Sequence, residues 1–493
     1  MIGRIAVLLV AALAIAAIPR AAAAAPLAAL PPFVRVNVAE LGVEYAKIGS
    51  TGSLTATLAD GSVAYRGYGS TITRLGVRRL ADPSRTIAAL PDPVAGDERR
   101  NRVTQRREAR LIARLEDVAI VTIPFEFSVE ETGGDPFAPP LLSARQVVPI
   151  HFVAEDGLLT FDGRAYRGTL ELARDDEGDM IVVNEVDTAS YLASVVGSEE
   201  PASWMPEALA AQAIAARTYL ITHLRRHGAY DLEGDTRDQE YDGLGGEAAS
   251  TVRAVERTTG LVATYRGAPI EALYSANAGG FTEDSENVYA NALPYLRAVP
   301  SPHDDVAQAS SWGHTSWQWQ TEFTAPQLRT YLSVRGIDVG DPQRIEPTRL
   351  SGTGRVTGAR ILGTRGGREI GKDAARYYFG LRSTLFTVSV RPEEIEILGT
   401  LDADRISELE YLGAVLERIL YSSVRDPERS WSLRVTGAIY RLPVRFVFAG
   451  HGYGHGVGMS QWGAQGMALA GASAEEILTH YYQGIAISSI GGA

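Results

Sequence analysis

Residues 450–468 read GHGYGHGVGMSQWGAQGMA, and glycine occupies every second position from 450 to 458. In an extended segment successive side chains alternate between faces, so this pattern predicts one face of bare backbone. The opposite face would carry His451, Tyr453, His455, Val457 and Met459. Bare backbone in a strand indicates that a ligand or another chain segment comes very close.

The residues after these glycines predict a helix capped by Ser460, with Gln461 and Trp462 in its first turn. This set suits a sugar ligand, because aromatic rings stack on pyranose faces while amides and imidazoles form hydrogen bonds with hydroxyl groups. Tight core packing around two hydrogen-bonded histidines explains the same pattern. Zinc binding is a third interpretation, although the two histidines lack the helical context that makes HExxH specific.

Two adjacent acids, Glu199 and Glu200, occur in the segment SVVGSEEPASWM at residues 194–205. We interpret its valine-rich part as a strand, so that the two side chains point apart and only one faces a cleft. A carboxyl group among Val, Trp and Met would have a raised pKa, as a general acid at neutral pH requires. The alternative is a pair of exposed acids that stabilise the dipole of the following helix.

The rest of the chain predicts an α+β fold. Residues 1–25 are typical of a signal peptide, with an uncleaved N-terminal anchor as the alternative, and residues 26–150 form a β-rich region. We assign residues 151–487 to a mixed second domain. Its Ala-rich helix begins at Pro206, ends by Gly228 and is expected to be buried because small residues recur at helical spacing. Residues 402–420 predict another helix, and Ser473 with Glu476 forms a capping box for the last one.

Composition narrows the function classes. The chain has 493 residues, 45% of them hydrophobic and 22% charged, which is typical of a globular protein with two or three domains. It has no cysteine, which excludes thiol nucleophiles and Cys-ligated metal centres. A net charge of −12 without basic runs makes nucleic acid an improbable partner.

Two segments, YLASVVGSEEPASWMPEALAAQAIAARTYL and the glycine-rich stretch, resemble the signature blocks of the SpoIID/LytB family. Further matching segments follow in the same order, from VVNEVDTASYL through DTRDQEYDG and ALYSANAGGFTEDSENVYANALPYLRAV to YYFGLRSTLF. Together they cover about residues 158–484. The family includes a peptidoglycan lytic transglycosylase and amidase-enhancer proteins of bacterial walls, so the resemblance implies an exported protein of the cell envelope, periplasm or extracellular wall.

The resemblance implies a catalytic role for one acid. In the family's enzymes this residue is the Glu of a VVxxE-x-P segment, which aligned on Pro201 is Glu199. The implied reaction is non-hydrolytic cleavage of the MurNAc–GlcNAc bond, which leaves a 1,6-anhydro end. One carboxyl group serves as both acid and base, because the internal C6 hydroxyl is the nucleophile. No cofactor is expected.

Substrate-binding positions carried over from the family lie in three blocks. They are Gln212, Arg217, Tyr219, Tyr274, His451, His455, Gln461 and Trp462. Two departures are Ala276 and Ala278, which replace the usual serines and remove their hydroxyl groups. Some relatives hold a metal through Cys and His near DTRDQEYDG, and since neither residue type occurs in that segment, we expect no metal site.

Three functions therefore remain open. The first is a lytic transglycosylase that acts on glycan strands of peptidoglycan. The second is a non-enzymatic wall protein that binds glycan and enhances an N-acetylmuramoyl-L-alanine amidase or another wall hydrolase. A general carbohydrate-binding module unconnected with walls is a third, weaker possibility.

Overall fold

A computed structural model describes thirteen stretches of the chain. They are residues 29–39, 45–68, 72–76, 126–129, 142–145, 149–174, 180–225, 227–391, 394–396, 399–402, 432–435, 439–441 and 445–490. The predicted signal peptide and nearly all of the helix predicted at 402–420 lie outside these described residues. No helix within the described stretches is long and apolar enough to cross a bilayer.

Strands dominate the first part of the described chain. They are β1 Phe33–Asn37, β2 Tyr45–Ser50, β3 Ser53–Leu58, β4 Val63–Tyr68, β5 Ile72–Gly76, β6 Glu126–Val129, β7 Leu142–Arg145, β8 Ile150–Val153, β9 Leu159–Phe161, β10 Arg164–Tyr166, β11 Thr169–Arg174, β12 Met180–Asp187 and β13 Leu232–Glu233. The later strands are β14 Leu261–Tyr265, β15 Ala268–Pro269, β16 Tyr274–Ser275, β17 Gln318–Thr324, β18 Pro342–Leu350, β19 Val356–Gly363, β20 Gly366–Gly371, β21 Phe386–Arg391, β22 Glu394–Glu396, β23 Gly399–Asp402, β24 Ser432–Val435, β25 Ile439–Arg441, β26 Arg445–His451, β27 Met459–Ser460 and β28 Ala486–Ser489.

The helices are concentrated in the second part. They are α1 Thr188–Glu199, α2 Pro206–His223, α3 Ala249–Arg257, α4 Ser285–Val288, α5 His314–Trp317, α6 Ala325–Val334, α7 Ala374–Phe379, α8 Gln461–Leu469 and α9 Ala474–Tyr481, with 3₁₀ turns at Gly243–Gly246 and Pro302–Ala309. This mixture of strands and segregated helices confirms the α+β prediction.

The largest sheet has seven strands in the order β13-β1-β12-β11-β8-β3-β4. Strands β1, β3 and β4 precede residue 150, and two of them pair with strands from the later part of the chain: β1 pairs with β12 and β13, and β3 pairs with β8. Residue 150 is therefore not a break between two sheets. Helix α1 follows β12 directly and packs with α2 and α3 against the same hydrophobic core.

Helix α2 contributes to two hydrophobic cores. One of its faces packs in the core shared with α1 and α3, and its stripe of alanines packs in a second core. Ala208, Ala211 and Ala215 are fully buried in the second core with side chains of α8 and α9. The predicted burial of the Ala-rich helix is confirmed. A third core lies between the sheet β17-β26-β21, the sheet β18-β19-β20 and helices α6 and α7.

The glycine-rich segment is not the extended strand that its alternation predicted. Strand β26 ends at His451, and the four glycines after it, Gly452, Gly454, Gly456 and Gly458, have φ angles of 78°, 109°, 75° and 78°. Such positive angles are accessible to glycine at little cost, so the backbone winds through a series of turns. His451, Tyr453, His455, Val457 and Met459 therefore do not form one face of a strand.

The close approach expected at these glycines is made by the protein itself. A methyl group at Gly458 would lie 2.0 Å from the carbonyl oxygen of Leu273, and one at Gly456 would lie 2.3 Å from Nη2 of the buried Arg355. The two-residue strand β16 pairs in parallel with β27 just beyond Gly458. This pairing places the chain around Tyr274 beside the start of α8.

Candidate functional site

Glu199 is the last residue of α1, and local sequence explains why the helix stops there. The Asp187 side chain caps the helix start by accepting a hydrogen bond from the Ser190 backbone amide at 2.9 Å. At the other end Pro201 disfavours helical geometry in the residue before it, and Glu200 is extended with φ −131° and ψ 145°. The expectation that residues 194–199 form a strand is wrong, because they are helical.

Three segments that are distant in sequence bring hydrogen-bond donors to the half-buried Glu199 carboxyl group. The Glu240 backbone amide donates to Oε1 at 3.0 Å, and Gln461 Nε2 donates to Oε2 at 3.1 Å. The Tyr274 hydroxyl lies 3.4 Å from Oε1. The apolar surroundings predicted for this acid are therefore not what the structure has, since polar donors surround it.

The Tyr274 hydroxyl belongs to a longer polar chain. It donates to Gln239 Oε1 at 2.9 Å, and Gln239 Nε2 donates to the Tyr191 hydroxyl at 3.0 Å. Burial, and then the nearby Glu199 carboxylate, raise the pKa of Tyr274 well above its ordinary value of 10. The phenol consequently keeps its proton at neutral pH and remains a hydrogen-bond donor.

Residues 239–242 run alongside the end of α1 and were not predicted as part of the site. The Asp242 amide donates to Ser198 Oγ at 3.1 Å, and the Tyr241 hydroxyl donates to Asn184 Oδ1 at 2.7 Å, which anchors the segment on β12. The sequence contained a signal for this role, because DTRDQEYDG matched the family in order. The hydrogen bond from the Glu240 backbone amide could not be predicted from the sequence, because a backbone amide does not depend on the residue type.

Glu200 is enclosed, unlike the half-buried and hydrogen-bonded Glu199. Only 1% of its surface is exposed, and neither carboxylate oxygen has a hydrogen-bond partner among the described residues. Burial, and then the negative charge of Glu199, raise the pKa of Glu200 well above 4.5. The enclosed carboxyl group with a raised pKa is thus that of Glu200, and it is closed to a large ligand.

Gln461 and Tyr274 owe their positions to the parallel pairing of β16 with β27. Tyr274 pairs with Met459 and Ser275 with Ser460, and Gln461 begins α8 immediately afterwards. The Ser460 hydroxyl accepts from the Gly463 amide at 3.3 Å and donates to the buried Asp304 at 2.5 Å. The predicted Ser460 cap is confirmed, as is the Ser473–Glu476 capping box of α9.

The two histidines of the glycine-rich segment have different surroundings, and His455 lies beside Tyr274, with whose backbone it forms a hydrogen bond. His451 ends β26, and its ring packs nearly perpendicular to the Trp317 ring with the two centroids 5.5 Å apart. His451 also lines an open groove of about 550 Å³. Glu199 is not among the described residues that line this groove. His455 accepts a hydrogen bond from the Val457 amide at Nδ1, and burial with the charges of Arg376 and Arg355 lowers its pKa to about 3. His455 is therefore uncharged at neutral pH.

Three other predicted positions lie on α2 and are buried. Gln212 is fully enclosed, and Arg217 donates to the backbone carbonyls of Val255 and Leu261, both at 3.1 Å. The Tyr219 hydroxyl donates to Asp238 Oδ1 at 2.9 Å. These contacts brace α2 against α3, β14 and the 235–242 segment, and they fit a supporting role better than contact with a polymer.

Trp462 is the centre of an aromatic cluster. Its ring centroid lies 4.7 Å from that of Trp204 and 5.1 Å from that of Trp312, and only 5% of Trp462 is exposed. The structure therefore places Trp462 beneath the surface, with Trp312 as the exposed member. The sequence analysis did not identify Trp312 as a candidate.

Comparisons with known proteins relate the chain to wall and sporulation proteins. The family model SpoIID, described as Stage II sporulation protein, matches residues 176–265, which include α1, both acids and residues 239–242. An uncharacterised protein of Brachyspira hyodysenteriae is 28% identical over 69% of this chain and 76% of its own length. The Amidase enhancer of Bacillus subtilis is 29% identical over 67% of this chain.

The Stage II sporulation protein D of Bacillus amyloliquefaciens is 29% identical over 62% of this chain and 75% of its own length. The match to the Amidase enhancer covers 45% of that protein. The chain thus spans about three quarters of two relatives and less than half of the third.

Proposed function

The chain belongs to the SpoIID/LytB family, and from this membership and the geometry at Glu199 we propose that it is a peptidoglycan lytic transglycosylase. Its substrate would be the glycan strand, and its place of action the bacterial cell wall after export. Glu199 would be the single catalytic acid and base.

The supporting observation is the convergence of separate segments on one carboxyl group. The donors at Glu199 come from Glu240, Tyr274 and Gln461, which are 41, 75 and 262 residues away in sequence. All three lie in segments that carry the family resemblance. A catalytic carboxyl group has to be held in one orientation to transfer a proton efficiently, and these contacts hold Glu199 from both of its oxygens.

The reaction needs only this carboxyl group. Protonated Glu199 gives its proton to the glycosidic oxygen as the bond from C1 of MurNAc to that oxygen breaks, which releases GlcNAc with a free hydroxyl group. The resulting carboxylate takes the proton of the C6 hydroxyl group while O6 bonds to C1. Atoms balance without water, and Glu199 regains its proton.

A second carboxylate, which ordinary glycosidases require, is not needed because O6 is already part of the substrate. Glu200 is the nearest further acid in sequence, and its enclosure argues against contact with a sugar. The side-chain amide of Gln461 and the backbone amide of Glu240 would instead orient Glu199.

The proposal is tested by digesting purified peptidoglycan with the wild type and with Glu199→Gln, followed by mass spectrometry of the products. We expect 1,6-anhydro-muropeptides from the wild type and at least about a hundredfold less from the variant, since general acid–base catalysis contributes about 10²–10⁴-fold. Glu256→Gln, the same change at an exposed site on α3, is the matched control. Equal yields from the wild type and Glu199→Gln would exclude Glu199 as the catalytic group.

Amidase enhancement is the second candidate function, and the match to the Amidase enhancer over 67% of this chain favours it. In this case the protein would bind glycan or a wall amidase without cleaving the strand. Release of stem peptides by a purified amidase, measured with and without the protein, tests this function. Stimulation that Glu199→Gln retains, with no anhydro product from the wild type, would support enhancement in place of cleavage.

A further inference from the structure

Residues 306–321, VAQASSWGHTSWQWQT, differ in composition from the rest of the chain. They contain no Asp, Glu, Lys or Arg, whereas 22% of all residues are charged, which corresponds to three or four in a segment of this length. They also hold Trp312, Trp317 and Trp319, which are three of the six tryptophans of the protein. Uncharged amides, hydroxyls and an imidazole occupy most of the other positions.

Trp312 is an exposed aromatic side chain with a rigid support. It is 57% exposed, and its ring lies on that of Trp462, which packs in turn on Trp204. The neighbouring Gly313 allows this contact, because a methyl group there would lie 2.3 Å from the Trp462 ring. Single exposed hydrophobic residues are common, but an indole held against Trp462, which Trp204 holds in turn, offers a flat face to a ligand.

The same segment contributes to the open groove of about 550 Å³. Gln318, Trp319 and Gln320 line it together with His451, Leu385 and Thr387, and the residues that line it include no Asp, Glu, Lys or Arg. The Trp317 ring packs nearly perpendicular to the His451 ring. Trp312 and Gln318 are six positions apart in sequence, so their Cα atoms are at most about 22 Å apart.

The chemistry of this surface selects a class of ligand. Aromatic faces bind the C–H faces of pyranose rings, and amide, imidazole and hydroxyl groups exchange hydrogen bonds with sugar hydroxyl and acetamido groups. Without fixed charges the surface has no direct Coulomb attraction for phosphate or for charged peptides. Trp462, whose ring contacts that of Trp312, directly follows Gln461, which donates to Glu199.

We propose that residues 306–321 form a glycan-binding surface for uncharged N-acetylhexosamine rings, with Trp312 stacking on one ring and the groove holding another part of the strand. The identity of the ligand as a peptidoglycan strand rests on the proposed function. The surface would hold the polymer on the enzyme while Glu199 acts on one bond.

Binding is measured by co-sedimentation of the full chain with purified insoluble peptidoglycan. We expect Trp312→Ala to weaken binding about tenfold, equivalent to about 1.4 kcal/mol, and Trp312→Phe to restore most of it because a ring remains. Paired Gln318→Ala and Gln320→Ala substitutions should weaken binding severalfold. Tyr377→Ala, at a 44% exposed aromatic residue outside this surface, is the control and should bind as the wild type does.

The salt dependence of peptidoglycan binding gives an independent test of whether the surface binds without fixed charges. Ion pairs between exposed groups are largely screened at about 1 M salt, so binding through an uncharged surface should persist from about 0.1 M to about 1 M sodium chloride. Loss of most wild-type binding over this range would overturn the proposal, as would wild-type affinity of Trp312→Ala. Unchanged glycan binding by Trp312→Ala with lost stimulation of an amidase would identify a protein-binding surface and also overturn it.

Failure of this proposal and failure of the proposed reaction are distinguishable. An inactive wild type that binds peptidoglycan through Trp312 would refute the transglycosylase assignment and retain the binding surface. An active wild type whose glycan binding does not depend on Trp312 would support the transglycosylase assignment and refute the binding surface. Under saturating glycan, Trp312→Ala should keep the turnover of the wild type and show a raised KM.

Discussion

The region around Glu199 and the region around Glu200 differ sharply although the two residues are adjacent. Glu199 ends a helix, remains half-buried and accepts hydrogen bonds from two other segments at 3.0 and 3.1 Å. Glu200 turns into the interior, where its oxygens have no partner among the described residues. The comparison teaches that environment, rather than residue type, decides which carboxyl group is available for chemistry.

The largest expected difference is in activity. Glu199→Gln should reduce the formation of anhydro-muropeptides by about 10²–10⁴-fold, while Glu200→Gln should leave it within about threefold because the enclosed Glu200 side chain is closed to the substrate. Product yield at matched protein concentration, together with circular dichroism to verify folding, measures this contrast. A comparable loss in both variants would remove the distinction between the two acids.

The second difference is in the pH dependence of stability. Because the pKa of Glu200 is higher in the folded chain than 4.5, the folded protein keeps a proton that the unfolded chain releases above that pH. The free energy of unfolding therefore falls as pH rises from about 4.5 toward the folded pKa. Glu200→Met, of similar volume and without charge, should remove this fall and raise stability near neutral pH by about 1–3 kcal/mol.

Urea unfolding at about pH 5 and about pH 8 tests the sign. The advantage of Glu200→Met over the wild type should be larger at the higher pH. The exposed control Glu256→Gln should follow the wild type at both. A constant difference between Glu200→Met and the wild type would mean that Glu200 does not take up a proton on folding.

A smaller effect is expected at Gln461. Gln461→Leu removes the amide that donates to Glu199 Oε2, and a hydrogen bond to a charged group contributes about 1.5–3 kcal/mol. We expect turnover to fall about tenfold with little change in glycan binding, because the substitution disturbs orientation rather than the surface that holds the strand. Separate determination of kcat and KM measures this. A change in KM alone would assign Gln461 to substrate contact.

The smallest effect is expected at Tyr274. Its hydroxyl is 3.4 Å from Glu199 Oε1 but 2.9 Å from Gln239 Oε1. The hydroxyl therefore donates its hydrogen bond mainly to Gln239. Tyr274→Phe should therefore lower turnover only about threefold, by loosening Gln239 rather than by releasing Glu199. A loss as large as that of Glu199→Gln would show that the phenol takes part in proton transfer.

Prediction from sequence succeeded for helix starts, which a few neighbouring residues decide. It failed for backbone conformation in the glycine-rich segment and for side-chain exposure. The starts of α2, α8 and α9 followed from Pro206, Ser460 and Ser473. The glycine alternation was misread as a strand, since periodicity does not distinguish a pleated backbone from one with repeated positive φ. Trp462 was chosen from its motif, whereas Trp312 was overlooked because exposure is not visible in sequence.

The sequence by itself determined where α2, α8 and α9 begin, because side-chain caps and a proline in the first turn act over a few residues. Only the tertiary structure decided that Glu200 is enclosed, that Glu199 meets Glu240 and Gln461, and that Trp312 covers Trp462. Those outcomes depend on segments up to 262 residues apart. Burial and hydrogen-bond partners are properties of the packed chain, so no local pattern encodes them.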